Sequence, residues 1–145
     1  MNGTAIAGLI FMSVMSAQVD SSALRARFGA PLNRETFTVR PGIEMVVDYS
    51  TTSTHACRLE FPGEAPFPPG AAPGVGFNLK KLMDDVVDEI VPAAMRGKEL
   101  GRMCESSGMN GMCSRLYEHL SIIESMTGDR RTAVIVRFKT ADCLK

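Results

Sequence analysis

The strongest pattern in the chain is helical. Across residues 78–91, Leu79, Leu82, Met83, Val86, Val87, Ile90 and Val91 recur at i, i+3, i+4 and i+7. Lys80, Lys81, Asp84, Asp85, Asp88 and Glu89 fall on the opposite face. Asn78 is the candidate N-cap, Phe77 can staple onto Leu82, and Pro92 ends the pattern. A shorter helix is predicted over 20–28, capped by Asp20, Ser21 or Ser22 and stopped by Gly29 and Pro31. Elsewhere apolar residues alternate. Phe37 and Val39, then Ile43, Met45, Val47 and Tyr49, read as one strand kinked at Pro41-Gly42. After a polar turn at 51–55, Cys57, Leu59 and Phe61 mark a second strand. Residues 115–126 read as a third strand with imperfect alternation, and Val134, Val136 and Phe138 mark a fourth. Between these two lies the turn 127–131, which puts Arg130 and Arg131 at a solvated tip. Residues 93–114 have no clean period.

These elements predict an α+β fold in helix–hairpin–helix–hairpin order. The expected architecture is a four-stranded antiparallel sheet with both helices packed on one face. Residues 62–76 are dense in proline and glycine and read as a surface loop of polyproline character, with Phe67 among the prolines. They divide a single domain, 19–145, into helix–hairpin halves at 20–62 and 77–140.

Composition adds mainly exclusions. The 145 residues are enough for one domain with a core, and 16 basic side chains balance 16 acidic ones. Lys and Arg form no stripe, which argues against a nucleic-acid partner and a polybasic membrane patch. Residues 1–18 carry no charge, and Ala5–Met15 form an apolar run of signal-peptide length, too short to span a bilayer. The segment 1–18 is therefore read as a signal peptide. That predicts a periplasmic or secreted monomer with no stable membrane insertion after processing, meeting an unidentified protein partner.

Export changes how the cysteines are read. Cys57, Cys104, Cys113 and Cys143 are an even set and predict two disulfides, with three possible connectivities. The stretch "MCESSGMNGMC" (103–113) has glycines, Gly108 and Gly111, that let a short ring turn back on itself, so Cys104 is expected to bond Cys113. By elimination Cys57 then bonds Cys143. The same stretch holds Met103, Met109 and Met112. Thioethers are soft ligands that select Cu(I), which makes copper the one cofactor suggested, against the plainer use of methionine as an adaptable filler.

Catalytic signals are sparse. No G-x-S-x-G, H-E-x-x-H or Walker-type loop occurs. His55 follows a Ser/Thr-rich turn, and at i, i+2 it could share a metal with Cys57; His119 reads as a strand-face residue. The helix carboxylates have Lys80/Asp84 and Lys81/Asp85 at i, i+4 and read as a solvated face. The reading that follows is a non-enzymatic, disulfide-stabilised binding or structural module using its Pro-rich or cysteine loop. Copper binding at Met103, Met109 and Met112 is one alternative, and a small hydrolase at His55 is another.

Leu24, Arg27, Phe28, Gly29 and Pro31, followed by Phe37, Val39, Arg40, Pro41, Gly42 and Ile43, form an L-x-x-R-[FY]-G-x-P … F-x-V-R-P-G-I pattern. The segment resembles small uncharacterised exported bacterial proteins over about the first half of the mature chain. The resemblance implies export and carries no activity with it.

Overall fold

A computed structural model of the chain describes residues 26–27, 33–51, 54–72 and 76–143. The predicted signal segment 1–18 lies outside these residues. So does the predicted helix 20–28, apart from Ala26 and Arg27, which are helical. The chain divides into two compact units, 1–31 and 32–145, and every described strand belongs to the second.

That unit is built on one seven-stranded antiparallel sheet, not the four-stranded sheet expected. The strands are β1 (Arg34–Arg40), β2 (Ile43–Tyr49), β3 (Ala56–Pro62), β4 (Glu99–Ser107), β5 (Asn110–Tyr117), β6 (Leu120–Thr127) and β7 (Arg130–Phe138). Helices α1 (Leu79–Ile90) and α2 (Ala93–Arg96) lie between β3 and β4 in the chain. The spatial order is β1-β2-β3-β7-β6-β5-β4. Two meanders, β1–β3 and β4–β7, thus meet along the β3–β7 seam.

The helix–hairpin–helix–hairpin order fails at three places, each for a local reason. Pro41-Gly42 does not kink a strand; it closes a hairpin. Gly42, at φ 75°, follows a proline at the centre of the turn, the pattern of a type II turn. Residues 115–126 are the parts of two strands separated by Glu118 and His119. The aperiodic 93–114 contains α2, β4 and the start of β5. Two hairpin turns carry a positive-φ glycine at the first central position, Gly108 (60°) and Gly128 (63°), as type II′ turns require.

One face of the sheet carries the core. Val47, Leu59, Phe61, Leu120, Ile122, Val134 and Val136 form a single buried cluster with Met83, Val86, Val87 and Val91 from α1 and its C-terminal boundary. Each such side chain contributes roughly 1.5–3 kcal/mol when fully buried. The period-3.6 pattern located this helix correctly. Asn78 caps it, its side chain accepting from the Lys81 amide at 2.9 Å.

The helix is also fastened by charge. A bulge between Ser125 and Met126 leaves Thr132 as the extra residue on β7 and places Arg131 opposite Met126. The guanidinium is fully buried. It donates to Asp84 at 2.6 Å, to Glu124 at 2.9 Å, and to the carbonyls of Gly63 and Lys80. A Cβ on Gly63 would stand 2.0 Å from the Arg131 carbonyl oxygen, so only glycine fits there. Arg131 is therefore no solvated tip; Arg130 alone is. Nor is the acidic helix face simply solvated. Asp84 pairs with Arg131, Asp88 with Arg96 and Glu89 with Arg40, and only Asp85 uses an i, i+4 lysine, Lys81.

Candidate functional site

The β4–β5 hairpin collects the predicted cysteine and methionine residues. Ser107 and Asn110 flank its two-residue turn, and Cys104 stands directly opposite Cys113 with a Cα–Cα distance of 4.1 Å. The two are disulfide-bonded. Counting from the turn, this is a non-hydrogen-bonded pair, so Arg102, Cys104 and Ser106 turn their backbone N–H and C=O groups away from β5. Nothing pairs with that side of β4 among the described residues, and β4 is an edge of the sheet.

Met103 sits opposite Ser114, and Met112 opposite Glu105. They are therefore diagonal neighbours on the face away from α1. Met109 occupies the turn and Leu100 the bulged position between Glu99 and Gly101. Relative exposures are 60% for Leu100, 55% for Met103, 74% for Met109 and 44% for Met112. The stapled loop expected from sequence is thus a regular hairpin. Its outer strand buries neither face, so no alternation of polarity could announce it.

The second disulfide, Cys57–Cys143, joins the start of β3 to the turn after β7. Cys57 is the extra residue of a bulge between Asp48–Arg58 and Tyr49–Ala56. Its sulfur is committed, which removes both the His55/Cys57 metal pair and any thiolate nucleophile there. His55 Nδ1 lies 3.6 Å from Asp142 Oδ2, with the imidazole 72% exposed. His119 is exposed between β5 and β6, where its amide donates to the Arg96 carbonyl. Among the described residues, no three His, Cys, Asp or Glu side chains are grouped to hold a metal ion.

A charged row crosses the sheet face opposite α1. Arg34, Asp48, Arg58 and Arg137 are successive register partners on β1, β2, β3 and β7. Asp48 is buried and accepts from Arg34 Nε at 2.6 Å and from Arg58 Nη1 at 3.1 Å. Arg34 holds its carboxyl below the usual range, against the opposing effect of burial, and Arg58 adds to the lowering. Arg58 also donates to Glu60.

Compared with family models, curated proteins and solved structures, the chain matches none.

The arginine row escaped the sequence reading, although Asp48 and Arg58 each sit at an outward position of an alternating strand. The missing information was neighbourhood: Arg137 lies 79 positions beyond Arg58 yet is its direct cross-strand partner. The Pro-rich loop is not wholly a surface segment: among its described residues Gly63 and Ala65 are buried, and Ala65 joins the core cluster. The loop carries the chain from β3 to α1, with Phe67 67% exposed beside a shallow apolar groove of 280 Å³.

None of the described helices is long and apolar enough to cross a membrane.

Proposed function

We propose that this protein is an exported, non-catalytic binding module that takes an extended segment of a partner protein onto the free edge of β4. One observation carries the reading. Of the eight large hydrophobic side chains that are exposed among the described residues, four sit on the β4–β5 hairpin: Leu100, Met103, Met109 and Met112. Concentrated exposed apolar surface marks contact sites, and methionine accommodates varied partners. The outward backbone groups of Arg102, Cys104 and Ser106 supply main-chain hydrogen bonds for strand addition. The disulfide holds the template in extended form before the partner arrives, which lowers the ordering cost of binding.

Selection of phage-displayed peptides against the oxidised protein tests this. Enriched peptides should be extended, alternating sequences that lose at least about tenfold in affinity for Ser106→Pro, which removes an outward amide. Peptides that bind Ser106→Pro as well as the parent protein overturn the edge-strand reading.

The shared face of Met103 and Met112 favours a second reading, thioether capture of Cu(I) with Met109. The double variant Met103→Leu/Met112→Leu separates the two, because leucine keeps the apolar surface and removes both sulfurs. Peptide binding retained with Cu(I) binding lost supports copper. Unchanged Cu(I) affinity in a chelator competition eliminates it.

A further inference from the structure

We propose that Arg137, with Arg58 beside it, forms a binding site for a small monoanionic carboxylate. The two arginines are direct register partners on β3 and β7, so their side chains leave the same face of the sheet side by side. Like charges in that arrangement destabilise a sheet unless something neutralises them. Arg58 is neutralised: it donates to Asp48 and Glu60. Arg137 has no hydrogen-bond or ion-pair partner among the described residues. Its planar fork of donors is the geometry that grips a carboxylate with two parallel hydrogen bonds.

The surroundings fix the class of anion. Arg137 and Arg58 border a depression of 520 Å³ between the β2–β3 end and the turn that follows β7. Asp48 and Asp142 border it too, and His55 stands beside Asp142. Asp48 is already matched by Arg34 and Arg58, but Asp142 at the rim repels a dianion more strongly than a monoanion, which favours a carboxylate over a phosphate dianion. The Cys57–Cys143 disulfide supplies an apolar wall, so the ligand should carry a short apolar part next to its carboxylate. The disulfide also ties the two walls together, so the site is formed before the ligand arrives.

The experiment is an NMR titration of the oxidised protein, following the Arg Nε–Hε signals, with butyrate, neutral butyramide and inorganic phosphate as probes. A tripeptide with a free or an amidated C-terminus distinguishes a small acid from a chain end as the natural source. Butyrate should move the Arg137 signal saturably, butyramide should not, and phosphate should move it less. Arg102, exposed on distant β4, serves as the internal reference and should stay still. Arg137→Gln should weaken butyrate binding at least about tenfold, the loss expected when hydrogen bonds to a charged group are removed. Arg137→Lys, which keeps the charge and lacks the fork, should fall between. Equal shifts of Arg102 and Arg137, equal responses to butyrate and butyramide, a stronger response to phosphate, or an unaltered Arg137→Gln variant would each overturn the proposal. Because Arg137 is exposed and unpaired, both variants should fold, which the parental disulfides and thermal midpoint verify.

Discussion

At the scale of single residues, two charged side chains contribute by different means. Arg131 is buried without exposure and compensated by two carboxylates and two carbonyls. Arg131→Met would leave Glu124 buried with only Arg115, 3.6 Å away, as its cation. Urea unfolding should show a loss of about 3–5 kcal/mol, with Arg131→Met/Glu124→Leu recovering part of it. Asp48 controls acid behaviour. Its folded-state pKa lies below the unfolded value, so its contribution is complete above about pH 4 and drains away as pH falls through the folded value. Asp48→Asn should be about 1–3 kcal/mol less stable at pH 7, because Arg34 and Arg58 lose a charged acceptor. Stability followed between pH 5 and 2 should also show a shallower acid limb. A limb as steep as the parent's would transfer the acid sensitivity to another carboxylate.

At the scale of elements, the two disulfides do unequal work. Cys57–Cys143 spans 86 positions and Cys104–Cys113 spans 9. In the chain-entropy model these closures are worth about 4.5 and about 2.5–3 kcal/mol. The smaller one also lies toward the turn of an edge hairpin, away from Tyr117, the residue by which that hairpin joins the core cluster. Cys57→Ser/Cys143→Ser should therefore lower the thermal midpoint of the whole unit more than Cys104→Ser/Cys113→Ser. The latter should instead speed amide exchange in β4 and the β4–β5 turn while leaving β7 protected. Equal midpoints for the two variants would contradict this ranking. The elements also differed in how visible they were in the sequence. Helix α1 was legible because it has one buried and one polar face. Strands β2, β3 and β7 were legible for the same reason at period two. Strand β4 was not, because both its faces meet solvent and its residues bear no imprint of a buried side. The β1–β2 turn was misread because Pro-Gly serves equally for a kink and a reversal, and only the register with β2 distinguishes them.

At the scale of the molecule, what the sequence could not supply was pairing between strands far apart in the chain. Alternation gives a strand its faces and is silent about its neighbours. The β3–β7 seam, the Arg34–Asp48–Arg58–Arg137 row and the Arg131 lock all depend on that missing information. The helix covers only the middle of the sheet, so protection should be graded. Native-state hydrogen exchange is expected to be slowest in β3, β7 and β6, beneath α1, and fastest in β1 and β4 at the edges. A uniform profile would contradict this. The seam has a further consequence for how the chain is made. Strand β3 is synthesised before β4–β7, yet its partner β7 is the last of the described strands to emerge. The meander β1–β3 must wait with an open edge, while β4–β7 can close as soon as its own residues appear. The seam is therefore the last pairing that can form, and the Cys104–Cys113 bond can form before the Cys57–Cys143 bond that seals the finished sheet.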